Sequence, residues 1–241
     1  MVSTTKAFLN DLKFSDLVFY TNGIRLMRSR INHVVNQTAC MNKPDGGLWA
    51  SPIAHPDDWM SWLEAQPPTG RPYRSNAFDG GTFFTLASST RMAMLVTPKM
   101  YGDVCARWPL AASPIFPHDP TILDALSIIA HGEKPLAYVA LDFEAMARSG
   151  VDAVYCEPSI MGAMGKFAPV HSWDCASLVV FNPNVIREVR PVEFDPRDRV
   201  STALELYPHL RDRLDMAVQF FNQDDWAPKW VLNLVNHPTA V

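Results

Sequence analysis

An α+β fold is what this sequence predicts, and two observations predict it. Short apolar runs rich in branched and aromatic residues recur along the chain, among them Leu17-Val18-Phe19-Tyr20, Leu48-Trp49-Ala50-Ser51 and Ser177-Leu178-Val179-Val180-Phe181. Such runs suit strands. Stretches of helix formers with recognisable starts and stops lie between and after them, and no repeat of solenoid length is present. The 241 residues are 48% hydrophobic and 19% charged, a globular composition with enough apolar material for a sizeable core.

Taken in order, Phe8 to Phe14 is expected to form a short helix, followed by the Leu17–Tyr20 strand and a Thr21-Asn22-Gly23 turn. Ile24, Met27, Ile31 and Val34 recur near helical spacing with Arg25, Arg28 and Arg30 between them, which predicts an amphipathic helix over 24–35. The stretch Asn42-Lys43-Pro44-Asp45-Gly46-Gly47-Leu48-Trp49-Ala50-Ser51-Pro52 then joins a tight turn to a strand. Gly46 and Gly47 carry no Cβ, so the turn is free to take positive φ, either as a mere corner or as the lip of a pocket.

His55-Pro56-Asp57-Asp58 reads as a helix start, with proline in the first turn and acids at the positive end of the helix dipole. That helix presents Trp59, Trp62 and Leu63 and stops before Pro67-Pro68. A proline- and glycine-rich loop is expected over 67–81, then strands over 82–87 and 92–97 and a helix over 99–108. A proline-rich stretch follows to Pro120. Helices over 121–130 and 141–149 precede a strand over 152–156. The Ser177 strand is the most apolar and the best candidate for an interior position. Residues 185–194 read as extended, and helix formers dominate from Arg199 onward, interrupted by Pro208. The chain therefore divides into a domain over 1–196 and a helical extension over 197–241.

Composition and motifs exclude several function classes. A net charge of −4 gives no electrostatic reason to expect a phosphate backbone as partner. Cys40, Cys105, Cys156 and Cys175 form no C-x-x-C pair, and the seven histidines show no H-x-x-x-H or H-E-x-x-H spacing, so no metal site is expected. Nucleophile-elbow, phosphate-loop and dinucleotide fingerprints are missing. Met1 to Lys13 lacks the apolar core of a secretory signal, and no run approaches the roughly 18–20 apolar residues of a membrane span. The expectation is a cytoplasmic protein with no membrane partner. His171 and Asp174 stand three apart, a spacing open to a base–acid pair or to turn capping.

Three segments, Lys43 to Ser51, Trp59 to Trp62 and Trp173 to Ser177, together with the Phe19-Tyr20-Thr21 strand end, resemble the ADP-ribosyltransferase superfamily, and in particular its bacterial and phage branch with a Lys-Pro-x-Gly-Gly-Leu-Trp-x-Ser segment. The likeness runs from about Leu17 to Phe194. It implies a pair of small mixed β-sheets with flanking helices and a cleft between them. It also implies NAD as co-substrate and mono-ADP-ribosylation of a macromolecular acceptor, a protein before a nucleic acid. The position that the family gives to glutamate holds Ser177, with Asp174 the nearest acid and Glu157 further away; its usual first-strand His or Arg is Phe19. The resemblance thus assigns catalysis to Asp174, Ser177 and Ser51. NAD binding falls to Tyr20 and Trp49 as stacking surfaces, Thr21 as a hydroxyl, Lys43 as a point charge and the amides near Gly46 and Gly47. The alternatives are a catalytically inactive binding or inhibitory relative, and an interaction protein acting through Arg199 to Val241.

Overall fold

Each apolar run singled out above is a strand in the computed structural model, which describes residues 14–22, 26–36, 43–65, 80–110, 140–158, 173–193 and 198–221. The strands are β1 (Phe19–Asn22), β2 (Leu48–Pro52), β3 (Gly81–Leu86), β4 (Met92–Leu95), β5 (Pro109–Leu110), β6 (Ala140–Leu141), β7 (Ala153–Cys156), β8 (Ser177–Val180) and β9 (Ile186–Val192). The helices are α1 (Trp59–Ala65), α2 (Pro98–Arg107), α3 (Phe143–Arg148), α4 (Arg199–Leu206) and α5 (Arg211–Phe221). Expected helices over 8–14 (apart from Phe14) and 121–130, and the helix formers beyond Phe221, lie outside the described residues, as does nearly all of the expected 67–81 loop. Among the described residues no helix is long and apolar enough to cross a membrane.

The architecture is mixed α+β. Seven strands hydrogen-bond in the order β4-β7-β8-β2-β1-β3-β9, and β5 and β6 form a separate ribbon. Among the described strands only the β4–β7 pair is parallel, and its crossover carries α2 and α3, as a parallel connection requires. Where two small sheets were expected, the main strands form one sheet with a thin joint. β1 and β2 pair only at Phe19↔Pro52 and Tyr20↔Ser51, whereas β2 pairs with β8 at Leu48↔Val180, Trp49↔Val179 and Ala50↔Leu178. β2 therefore passes from one neighbour to the other at Ser51. The halves β9-β3-β1 and β2-β8-β7-β4 meet there.

Strand alternation sends successive side chains to opposite faces. One face carries Phe19, Ala50, Phe84, Tyr155, Leu178 and Val180 in a single core cluster. The other carries two clusters. Val154, Cys156 and Val179 meet Tyr101, Phe143 and Trp173 of the α2–α3 side, and Tyr20 and Phe83 meet Met60 and Leu63 of α1 and Ala203, Tyr207 and Leu214 of the C-terminal helical region. The helices after Arg199 thus bury their apolar faces in the core of the sheet.

The helix expected over 24–35 is not one. Among its described residues only Arg28–Arg30 make a single 3-10 turn. Tertiary contacts override the periodicity: Val35 and Asp45 exchange backbone hydrogen bonds, Arg28 Nη2 donates to the Ile186 carbonyl at 2.7 Å, and Leu26 and Ile31 lie against the core. Asn36, just beyond, binds the start of α3 by accepting from Phe143 N–H at 2.8 Å and donating to Asp142 Oδ1 at 2.9 Å.

Candidate functional site

The handover in β2 builds the site. Where its ladder to β8 stops, the Ser51 side chain continues it: Oγ donates to the Ala176 carbonyl at 2.5 Å. The same oxygen accepts from the Trp59 amide at 3.0 Å, satisfying an N–H in the first turn of α1 that has no acceptor within its own helix. The Ala176 amide in turn donates to the Asp57 carbonyl at 2.9 Å. Ser51 is therefore the point where three segments far apart in sequence are tied together, and it is buried.

An aromatic row runs inward from Lys43. Lys43 Nζ sits 4.8 Å from the centroid of the Trp49 ring, a cation–π distance. Trp49 meets Trp173 at 4.8 Å between centroids, and Trp173 meets Phe143 at 6.5 Å. Trp173 is fully buried, Trp49 and Lys43 are partly exposed, and Asp174 is exposed. Cys175 lies beneath them. Burial pushes its thiol up to about 11; the Ser177 hydroxyl and Lys43 oppose that rise, and Asp58 and Asp174 reinforce it. Ser177 Oγ donates to the Cys175 carbonyl at 2.8 Å.

Of the residues singled out in the sequence, Lys43 lies over Trp49, Trp49 meets Trp173, the neighbour of Asp174, and Ser51 bonds to Ala176, the neighbour of Ser177. Tyr20 and Thr21 do not reach solvent. The Tyr20 ring packs on Phe83 at 5.9 Å and Trp59 at 6.3 Å, its hydroxyl makes a long bond to the Gly80 carbonyl at 3.4 Å, and burial pushes its pKa up to about 12. It is a core aromatic. Thr21 points to the opposite face by alternation and lies across from Thr82. Gly46 and Gly47 do take positive φ, at 75° and 66°, but their missing Cβ atoms make room for protein. A Cβ on Gly46 would stand 2.2 Å from the His33 carbonyl oxygen, and one on Gly47 would stand 2.7 Å from Val179 Cγ2. The Gly47 amide donates to Asn32 O at 3.0 Å, so that N–H is engaged within the chain.

Two long-range arrangements, His55 with Glu157 and Asp58 with Arg199, escaped the sequence reading. Immediately after β7, Glu157 is completely buried on the Tyr155 side of the sheet. Its carboxylate accepts from the Tyr155 hydroxyl and faces His55 Nε2 at 3.1 Å. The Asp57 amide donates to His55 Nδ1 at 2.9 Å, which places the ring proton on Nε2, aimed at Glu157. No spacing signals this pair, since 102 positions separate its members; the clue was an acid directly following an all-apolar strand. The second arrangement caps α1. Asp58 Oδ1 accepts from Ser61 N and Oγ at 2.8 and 2.7 Å, and Arg199 grips the carboxylate through Nε at 2.7 Å and Nη2 at 3.1 Å. The helix start read from Asp57-Asp58 is thus a true cap, locked from the C-terminal side of the chain. His171, the suggested partner of Asp174, lies outside the described residues.

Among the described residues no group of three or more His, Cys, Asp or Glu side chains is placed to hold a metal ion. Compared with protein-family models, curated proteins and solved structures, the chain finds no match in any of the three.

Proposed function

We propose that the protein uses the surface around Trp49 and Asp174 to bind NAD, and transfers ADP-ribose from it to a macromolecular acceptor, a protein before a nucleic acid. One observation carries this reading. The three β-segments on which the resemblance rests are direct neighbours in the sheet, in the order β8-β2-β1, and Ser51, Trp173 and the start of α1 meet where they join.

In this reaction the bond between nicotinamide nitrogen and ribose C1′ breaks, and its electron pair leaves with nicotinamide. The sugar passes through an oxocarbenium-like state that a nearby anion stabilises. A lone pair of the acceptor then bonds to C1′ and its proton is released. Asp174 supplies the carboxylate, Trp49 the stacking surface, and Lys43 a cation for the phosphates. Ser51 and Ser177, whose hydroxyls are used inside the protein, hold Asp174 and its strand in place.

Purified protein with candidate targets from a host lysate should release nicotinamide, and NAD should raise its melting temperature. Asp174→Asn should lower nicotinamide release by about 10²-fold, the scale of one lost electrostatic partner. A parent protein that shows neither nicotinamide release nor a melting shift ends the proposal. A second reading, a catalytically silent relative that acts as a binding or inhibitory module, is favoured by the internal engagement of Tyr20, Ser51 and Ser177. Labelled ADP-ribose appearing on a lysate component, and lost with Asp174→Asn, counts against it.

A further inference from the structure

A continuous series of hydrogen bonds joins the two faces of the sheet. Glu157 accepts from His55 Nε2–H. His55 Nδ1 accepts from the amide of Asp57. The carbonyl of Asp57 accepts from the amide of Ala176, and the carbonyl of Ala176 accepts from Ser51 Oγ–H. Both ends of the Asp57 backbone and both ends of the Ala176 backbone are thereby used. Ala176 stands between Asp174 and Ser177, at the point where β8 no longer has β2 as a ladder partner. Its place is set by these side-chain and turn contacts.

The relay has a fixed direction. An amide can only donate, so Nδ1 must be the acceptor and Nε2 the donor. A carboxylate is the partner that best holds that tautomer. Glu157 is itself fixed by the Tyr155 hydroxyl, and both His55 and Glu157 are sealed from solvent. A sealed imidazole cannot reach a substrate. It can hold the turn at Asp57 rigidly, and through that turn the strand start that carries Asp174.

We propose that His55 is a positioning residue: with its tautomer set by Glu157, its Nδ1 accepts from the Asp57 amide and so fixes the Asp57 turn, which fixes the Asp174–Ser177 segment against Ser51. The functional consequence rests on the NAD reading above, but the positioning itself does not. The two ring nitrogens allow a clean separation. In His55→Asn the amide oxygen stands where Nδ1 was, so the acceptor for Asp57 is kept and the donor to Glu157 is lost. In His55→Gln the amide nitrogen stands where Nε2 was, so the donor to Glu157 is kept and the acceptor for Asp57 is lost.

The test is backbone hydrogen exchange in the full chain, comparing the Ala176 amide with that of Phe181 at the other end of β8, which donates to Asp152 O at 2.8 Å. His55→Gln should speed exchange at Ala176 by about tenfold relative to Phe181, the effect of a local opening. His55→Asn should leave that ratio unchanged even if the whole protein is less stable, because global unfolding exposes both amides together. An unchanged ratio in His55→Gln, or an equal rise in both variants, overturns the proposal. Nicotinamide release measured on the same samples should show kcat falling about tenfold in His55→Gln with KM within twofold, since Trp49 and Lys43 are untouched. A parent protein that releases no nicotinamide refutes the NAD reading, whereas the exchange ratio still decides the role of His55.

Discussion

Replacing Arg199 by alanine isolates the strongest link between the C-terminal helices and the rest of the fold. Asp58 is almost completely buried, and Arg199 contacts both of its carboxylate oxygens and also Ser61 Oγ at 2.8 Å. Removing one member of a buried ion pair costs about 3–5 kcal/mol, because the other charge stays out of water without its partner. Ser61 still donates twice to Oδ1, so the lower end, about 3 kcal/mol, applies. In a chain of 241 residues each kcal/mol moves the melting temperature by about 2–4 °C, so the expected drop is about 6–12 °C. Differential scanning calorimetry reads it directly. The double variant Asp58→Ser, Arg199→Leu removes both charges and keeps a capping oxygen for Ser61, and should recover all but about 1 kcal/mol. A melting temperature within 1 °C or so of the parent in Arg199→Ala would refute the reasoning. So would a double variant as unstable as the single one.

Other expectations follow from the same geometry. Gly46→Ala places a Cβ against the fixed His33 carbonyl at positive φ, whereas Gly150→Ala, also at positive φ, meets only the far end of the Arg91 side chain. Each carries about 1–2 kcal/mol of left-handed backbone cost, so urea denaturation should show Gly46→Ala as clearly the worse of the two. The Cys175 thiol is raised from 9.0 to about 11, so below pH 9 native and unfolded chains both hold the proton and its contribution is complete. From pH 9 to 11 mainly the unfolded chain ionises, and stability falls by about 1 kcal/mol per pH unit for this group. Cys175→Ala should lose that much less between pH 9 and 10, and equal slopes would count against the assignment. Trp49→Leu should weaken NAD binding by at least about tenfold, the scale of one aromatic stacking contact of 1–3 kcal/mol, as read by calorimetric titration; unchanged affinity would remove Trp49 from the site.

The strands were legible because their composition leaves little choice: Ser177 to Val180 is apolar on both faces and can only be an interior strand. The helix pair after Arg199 was equally plain, with the break before Pro208 where the expected interruption lies. Residues 26–36 misled because their spacing mimics one helical face, while their true partners, Asp45, Ile186 and Asp142, are distant in sequence and supply what a helix would have supplied. Part of the neighbourhood was legible: Lys43 lies over Trp49, Trp49 meets Trp173, and Ser51 bonds to the residue before Ser177. Burial, which local sequence does not encode, decided against Tyr20 and Thr21 as surface groups. The His55–Glu157 pair was illegible for the same reason, since its meaning arises only when the segments that follow β2 and β7 come together.

The placement of the two acids beside β8 determines which of them can serve the proposed chemistry. Glu157 is engaged by Tyr155 and His55, and turning it toward a substrate would leave two buried donors without an acceptor, at about 1–3 kcal/mol each. The role therefore falls on Asp174, which is exposed. Exposure weakens it. A cation 4 Å away is attracted by about 1 kcal/mol in bulk water but by about 4 kcal/mol at the effective dielectric of a protein surface. Asp174 becomes effective only when water is displaced around it, and on the proposed reading the group that displaces water is the ligand stacked on Trp49. Binding at the aromatic row and charge stabilisation at the carboxylate are then one event, so a loss at Trp49 should lower turnover as well as affinity. On the proposed reading, a fixed strand start, held by Ser51 on one face and by the His55 relay on the other, keeps Asp174 within reach while that contact forms.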